Sequence, residues 1–152
     1  MIVLNKESSK FMDCIEKAKE QVKPLAESKN IEIRITGENC IVQYDKKWTL
    51  EAICNLLENA IKYTNKNGKI IINLEKLETF LKIDIIDNGI GIDEENINNI
   101  FKRFFRERKV NNIEGIGIGL YLSKNIIEAQ NGYIKVKSKV NEGSTFSVFL
   151  PL

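Results

Sequence analysis

The run Asp87-Asn88-Gly89-Ile90-Gly91 ends a stretch in which apolar and polar residues alternate, and the run Gly115-Ile116-Gly117-Ile118-Gly119-Leu120 opens a helical stretch. Together they hold five of the nine glycines in the chain. Glycines allow close approach to the backbone, and the start of a helix presents unpaired N–H groups. We therefore expect the functional site to lie where these two runs meet.

Hydrophobic periodicity outward from these runs predicts three helices and six strands. The helices are expected over residues 8–28, 46–64 and 117–130. The strands are expected at 31–35, 40–44, 69–74, 80–86, 134–137 and 146–150. Pro24 is expected to kink or end the first helix, and Asp45 to cap the second.

This order predicts an α+β fold, built as a two-layer α/β sandwich. Its mixed, mostly antiparallel sheet is covered on one face by three helices. Residues 1–152 are expected to form a single domain, in which 1–28 is the leading helical segment. Residues 93–114 lack a sustained hydrophobic periodicity, although a short helix would fit the spacing of Ile97, Ile100, Phe101 and Phe104.

Composition excludes several classes of function. The chain has no histidine and a net charge of +2, so it shows no strong overall attraction to nucleic acid or membrane. Three scattered cysteines without ligand spacing argue against structural zinc and favour a reducing compartment. No stretch approaches the roughly 20 apolar residues of a membrane-spanning helix. We therefore expect a cytoplasmic domain, either complete in itself or cut from a longer protein.

The second predicted helix carries polar residues on one side. Asn55, Asn59 and Lys62 recur at helical spacing, opposite the apolar residues that would face the core. Such a face is often only solvated. Asparagine, however, is a mediocre helix former, and two amide oxygens can hold a Mg²⁺ that bridges phosphates. Both interpretations remain open on spacing alone.

Each glycine run also has two interpretations. Asp87 ends an apolar strand, so its carboxylate either closes a simple turn or accepts a hydrogen bond from an amine such as N6 of adenine. The second run matches neither the Walker phosphate loop nor the dinucleotide fingerprint. It is either a flexible connector or a helix N-terminus that binds an anion.

The segment between the runs is basic and aromatic. Its cations are Lys102, Arg103, Arg106, Arg108 and Lys109, and Phe101, Phe104 and Phe105 lie among them. One short cluster is a weak indication of nucleic-acid binding. A loop of this length between ordered elements is often an active-site lid. We therefore expect residues 93–114 to form a lid in which Arg106 neutralises phosphate charge.

These motifs, in this order, resemble the nucleotide-binding boxes of sensor histidine kinases. That family belongs to the ATPases with the Bergerat fold. Residues 55–64 resemble the N box, 87–92 the first glycine box, 101–106 the F box, 115–120 the second glycine box, and 143–146 the closing glycine-threonine element. The resemblance spans about residues 30–152.

The resemblance implies a role for each matched residue. Asn59, helped by Asn55, would hold Mg²⁺, and Lys62 and Tyr63 would meet the phosphates of ATP. Asp87 would bind the adenine amine, and Arg106 would approach the terminal phosphate. The remaining nucleotide-binding residues would be Gly89, Gly91, Ile92, Gly115, Gly117, Ile118, Gly119, Leu120 and Thr145.

The chain departs from the family in two places. Ile116 stands where the second glycine box often has threonine. The dimerisation helix with its phosphate-accepting histidine is missing, since the chain contains no histidine. The implied partners are a histidine-bearing dimerisation domain of the same parent protein and a response regulator. The parent is expected to be membrane-anchored, and the domain to be monomeric without direct membrane contact.

Two alternatives remain. One is an ATP hydrolase of the same fold. Such hydrolases resemble one another in having glutamate at the position of Asn55, and because an amide cannot act as a general base, Asn55 argues against hydrolysis. The other alternative is a non-catalytic module that binds a nucleotide or a partner protein. Nucleotide binding and phosphoryl transfer, measured separately, distinguish these from a kinase domain.

Overall fold

The computed structural model describes residues 2–102 and 119–152. In chain order its elements are strand β1 (Lys6–Lys10), helix α1 (Phe11–Ser28), strands β2 (Glu32–Gly37) and β3 (Ile41–Asp45), helix α2 (Lys46–Tyr63), strands β4 (Lys69–Lys76) and β5 (Phe80–Asp87), a 3₁₀ turn (Glu94–Asn96), helix α3 (Gly119–Ala129), and strands β6 (Tyr133–Lys139) and β7 (Gly143–Pro151).

The described part of the chain folds into two layers. Five strands form one sheet in the order β2-β4-β5-β7-β6, in which only the β2–β4 pair is parallel. Strands β1 and β3 form a separate antiparallel pair. Alternate residues of β5 and β7, such as Ile83, Ile85 and Val148, are fully buried under the helices. The predicted α+β sandwich, with three described helices on a mixed, mostly antiparallel sheet, is confirmed.

The start of the first helix was predicted wrongly. Residues 8–10 lie in β1, where Ser8 pairs with Gln43 and Lys10 with Ile41, and α1 begins only at Phe11. The apolar residues at helical spacing also begin at Phe11. Residues 8–10 are extended because they pair with β3, which is distant in the sequence. Pro24 lies inside α1 and does not end it.

Two helices end in the same asparagine-based motif. The N–H of Asn30 bonds to the carbonyl of Glu27, and the N–H of Ile31 bonds to that of Ala26, while Asn30 has a φ of 51°. Asn131, with a φ of 64°, closes α3 in the same way. This is the Schellman pattern, in which asparagine can replace glycine in the left-handed position. It turns the chain sharply into β2 and β6.

Asp45 joins the leading segment to α2. Its Oδ1 accepts from the Trp48 N–H at 2.8 Å, which confirms the predicted helix cap. Its Oδ2 accepts from the Asn5 N–H at 2.7 Å. One buried carboxylate therefore holds both the first turn of α2 and the residues that precede β1.

The remaining elements agree with the sequence apart from their ends. Turns lie at Asn67, with a φ of 68°, and at Asn141, as predicted. The short helix expected from Ile97 to Phe104 is replaced, as far as Lys102, by the 3₁₀ turn and further hydrogen-bonded turns. Within residues 2–102 and 119–152, no helix has the length and apolar character needed to span a membrane.

Candidate nucleotide site

Helix α2 presents the predicted polar face. Asn55, Asn59 and Lys62 are all half-buried, whereas their neighbours Leu56 and Ala60 are buried in the core. Within the described residues, neither asparagine amide has a hydrogen-bond partner. Two neutral oxygen donors one turn apart, beside a lysine, form a donor set that suits Mg²⁺ and phosphate. The face can therefore accept these groups without first breaking internal bonds.

Helix α3 begins against this face. A methyl group at Gly119 would lie 3.7 Å from the Cβ of Asn55, which is ordinary van der Waals contact. Further along, the Ser123 hydroxyl donates to the Ala52 carbonyl at 3.0 Å. The end of the second glycine run therefore lies beside the first asparagine of α2. Leu120, on the next position, is partly buried against the core.

Gln130 fixes the other end of this helix pair. Its Nε2 donates to the Thr49 hydroxyl at 2.9 Å, and its Oε1 accepts from the Asp45 N–H at 2.9 Å. Gln130 is 2% exposed, so its amide links the C-terminus of α3 to the first turn of α2 inside the core. The sequence analysis missed this residue, because a glutamine at a helix end carries no pattern of its own.

Asp87 is the buried acid of the site. It is 7% exposed, and both of its backbone hydrogen bonds end on Oδ1, from the N–H of Gly89 at 2.9 Å and of Ser144 at 3.2 Å. Burial raises the pKa of Asp87 above its usual value of 3.8, and the two N–H donors partly offset this. The second oxygen keeps its full capacity to accept a hydrogen bond.

The glycines after Asp87 make room for protein backbone. A methyl group at Gly89 would lie 2.2 Å from the Tyr63 carbonyl oxygen, and one at Gly91 would lie 2.2 Å from that of Lys139. Gly91 also has a φ of 75°, which disfavours any side chain. The turn after β5 is therefore clamped between the end of α2 and the end of β6. Contact of Gly89 and Gly91 with a ligand stays a prediction.

A small hydroxyl network supports this turn. The Ser138 Oγ accepts from the Ile92 N–H at 2.7 Å, donates to the Gly143 carbonyl at 3.0 Å and lies 2.8 Å from the Ser144 Oγ. One hydroxyl offers one donor and two acceptor positions, so Ser138 is saturated when Ser144 donates to it. The network ties Ile92 to the residue that supports Asp87.

The structure does not bring Thr145 to this acid. In the β5–β7 register Asp87 pairs with Ser144, while Thr145 pairs with Ile86. Because side chains alternate across a sheet, Thr145 lies on the face opposite Asp87. Ser144, rather than Thr145, lies on the same face of the sheet as Asp87. The sequence analysis could not give this register, because it depends on the pairing of two strands that are distant along the chain.

The first part of the predicted lid packs on the core. Ile100 is buried, and the Phe101 ring meets the Phe146 ring edge-on at 6.1 Å, with the Lys124 ammonium 5.9 Å from the Phe101 centroid. Tyr63 is half-buried at the end of α2. The remaining predicted site residues, Arg106, Gly115, Gly117 and Ile118, lie outside the described residues, as does the rest of the lid.

Comparison with known proteins identifies the family. The model described as "Histidine kinase-, DNA gyrase B-, and HSP90-like ATPase" matches residues 44–152. The sensor histidine kinase AtsR of Burkholderia thailandensis is 36% identical over 129 residues, which cover 81% of this chain. The chain spans only 21% of the length of AtsR.

Solved structures agree with this result. The nucleotide-free catalytic domain of histidine kinase ThkA has a TM-score of 0.85 and 26% identity, covering 97% of this chain and 98% of that one. A structure of ThkA in complex with the response regulator protein TrrA has a TM-score of 0.82 at 26% identity, covering 98% of this chain and 42% of that one. The chain therefore belongs to the histidine kinase-, DNA gyrase B- and HSP90-like ATPase family, as an ATP-binding domain of the sensor histidine kinase type.

Proposed function

We propose that this domain binds ATP with Mg²⁺ and supplies the γ-phosphoryl group to a histidine on a dimerisation domain, for relay to a response regulator. The observation that carries the proposal is the buried Asp87 carboxylate, with one oxygen held by backbone and the other available. Family membership supports ATP as the ligand.

Asp87 would recognise adenine through its exocyclic amine. The N6 group only donates hydrogen bonds, and a carboxylate only accepts them, so a base with a carbonyl at this position would leave two acceptors facing each other. Because Asp87 is fixed by Gly89 and Ser144, little conformational freedom is lost on binding. Gly91 and Ile92 shape the same turn.

The polar face of α2 would meet the triphosphate. Asn59 and Asn55 are the residues that would hold Mg²⁺, and Lys62 would contact a phosphate oxygen. The metal supplies charge neutralisation at the transferring group when it is bound. Gly119 and Leu120 lie at the start of α3, where Gly119 is beside Asn55. We assign Arg106 and the glycines of the second run to the same end, as the family resemblance implies.

The acceptor must come from outside this sequence, which contains no histidine. In the proposed step a histidine nitrogen forms a P–N bond, the bond from the γ-phosphorus to the β–γ bridging oxygen breaks, and ADP leaves. The phosphoryl group then passes to an aspartate carboxylate. ThkA was solved in complex with a response regulator, which supports this class of partner. We place the domain in the cytoplasm, as a monomer attached to a membrane-anchored parent.

Transfer from γ-labelled ATP to a separately supplied, histidine-bearing dimerisation domain tests the proposal. We expect labelled acceptor with Mg²⁺ and none with a chelator. Calorimetry with a non-hydrolysable ATP analogue is the companion measurement. Binding without transfer to any such acceptor would favour a nucleotide-sensing module, and absence of binding at millimolar analogue would favour a pure interaction module.

Hydrolysis is the less favoured alternative. The half-buried residue on α2 that faces the start of α3 is Asn55, whose amide cannot activate water. Glu58 is exposed at the edge of the face formed by Asn55 and Asn59, whereas both asparagines are half-buried. We therefore expect only slow release of phosphate from ATP in the absence of an acceptor. Rapid release by the domain alone would overturn the kinase assignment.

A further inference from the structure

The side chain of Lys29 reaches from the end of α1 to the end of α2. Its Nζ lies 2.8 Å from the Ile61 carbonyl oxygen and 3.2 Å from the Lys62 carbonyl oxygen. Both carbonyls belong to the last turn of α2, where no further helical turn supplies N–H donors, and the Ile61 carbonyl also accepts from the Thr64 N–H at 3.3 Å. Lys29 thus adds a second donor at the Ile61 carbonyl and supplies a donor to the Lys62 carbonyl. Nothing in the periodicity of the sequence indicated this contact.

The backbone around Lys29 is fixed on the same neighbour. The Asn67 N–H donates to the Lys29 carbonyl at 2.9 Å, and the Asn30 Nδ2 donates to the Asn67 Oδ1 at 2.7 Å. The Glu32 N–H then donates to the Gly68 carbonyl at 3.2 Å. The turn after α1 is therefore joined to the turn after α2 at several points. The amine of Lys29 approaches its acceptors from a rigid base.

The surroundings of Lys29 favour a donor at this position. The residue is half-buried, and burial lowers the pKa of its amine from the usual value of 10.5. It forms no ion pair with an acid of the described chain. The C-terminus of a helix carries partial negative charge, which attracts a cation. The amine retains N–H donors whether or not it is protonated, so the contact does not depend on one charge state.

We propose that Lys29 is a positioning residue for the phosphate-binding end of α2, an inference that rests on the proposed function. One of its acceptors is the backbone of Lys62, whose own ammonium would meet phosphate, and Asn59 lies one turn earlier on the same helix. Without the donor, this last turn frays and the polar face loses its alignment. A displacement of about 1 Å in a positioned group can cost about 100-fold in rate, so a small shift suffices.

The test compares Lys29→Met with Lys29→Arg. Methionine keeps the apolar stem but removes the donors, whereas arginine keeps them. Lys23→Met, at an exposed position on α1, is the matched control for loss of a lysine. Calorimetry measures binding of Mg²⁺ with a non-hydrolysable ATP analogue, and of adenosine, below the melting temperature of each variant. Lys29→Gln, which is too short to reach both carbonyls, replaces Lys29→Met should the latter not fold.

We expect Lys29→Met to weaken analogue binding by about 5-fold or more, and to leave adenosine binding within about 2-fold. Lys29→Arg should recover most of the loss, and Lys23→Met should match the wild type. A lower melting temperature with unchanged analogue affinity overturns the role of Lys29 while leaving the proposed function intact. Absence of analogue binding by the wild type overturns both.

Discussion

The two ends of the candidate site are built in opposite ways. At the proposed adenine end, Asp87 is buried and its turn is held by the Tyr63 backbone, Ser138 and Ser144. At the proposed phosphate end, Asn55 and Asn59 are half-buried, and their amides have no hydrogen-bond partner within the described residues. One end is assembled before any ligand arrives, and the other presents unoccupied donors and acceptors.

Solvation explains this difference. A single carboxylate can be buried at modest cost when backbone N–H groups hold it, and adenine then enters a site that needs no rearrangement. A triphosphate and its metal carry several charges, and burying their ligands in advance would cost far more. We therefore expect the proposed phosphate end to stay hydrated until the triphosphate and the metal bind. Substitutions at the two ends should affect stability and binding in different proportions.

The largest effect is expected at the phosphate end. Asn59→Ala should lower phosphoryl transfer by at least about 100-fold, because a proposed ligand for the metal is removed. The free energy of unfolding should not fall and should rise by up to about 0.5 kcal/mol, since alanine favours helix more than asparagine does. Transfer assays and urea titration measure the two quantities. A destabilised Asn59→Ala variant would contradict the contrast between the ends.

At the adenine end, Asp87→Asn should weaken binding of the ATP analogue by about 30-fold, because an amide donor then faces the N6 donor. The same change should raise the free energy of unfolding at pH 7 by about 1 kcal/mol. The asparagine oxygen can still accept from Gly89 and Ser144, and a buried charge is removed. Calorimetry and denaturant titration provide the comparison.

The difference in unfolding free energy between Asp87→Asn and the wild type should depend on pH. Burial raises the pKa of Asp87 in the folded state above its unfolded value near 3.8. Its favourable contribution to folding is therefore complete below that unfolded value, and is lost as pH rises through the folded pKa. The stability gap between Asp87→Asn and the wild type should narrow on acidification. A gap that stays constant from pH 7 to pH 4 would show that the charge is not penalised by burial.

A smaller effect on binding is expected at Ser138. Ser138→Ala removes the acceptor of the Ile92 N–H and the partner of the Ser144 hydroxyl. The unfolding free energy should fall by about 1–3 kcal/mol, and analogue affinity by about 3-fold, because the turn is loosened without losing Asp87. Ser147→Ala, on the other face of β7, is the control that should leave affinity unchanged. Equal losses of affinity in the two variants would remove the special role of the network.

The smallest effect on affinity is expected at Gln130. Gln130→Leu leaves the Asp45 N–H and the Thr49 hydroxyl without their buried partner. We expect a loss of about 2 kcal/mol in unfolding free energy and analogue affinity within about 2-fold of the wild type. Thermal unfolding with and without ligand measures both. A large loss of affinity would mean that α2 transmits strain from its first turn to the site.

The sequence predicted most of the fold because local patterns and packing agree. The alternation that ends at Asp87 and the helical spacing around Leu56 each fix an element and its buried side. Residues 8–10 were misassigned because their extended form depends on β3, which lies more than 30 residues away along the chain. Pro24 does not end α1, since packing of the α1 face carries the helix past it, and the alternative expectation of a kink stays a prediction.

The site could be predicted less completely than the fold. Asp87, Asn55 and Asn59 follow motifs whose chemistry can be read from residue type and spacing. Ser138, Gln130 and Lys29 act through contacts between distant segments, so no local pattern marks them. The choice between Ser144 and Thr145 depends on strand register, because a shift of one residue moves a side chain to the other face.

The shared carboxylate of Asp45 has a mechanical consequence. One of its oxygens holds the backbone just before β1, and the other holds the opening turn of α2. Tension applied to the leading residues thus reaches the helix that carries Asn55 and Asn59 through this side chain as well as through the β1–β3 pairing. The residues before β1 and the helix that carries the proposed metal ligands are therefore mechanically connected.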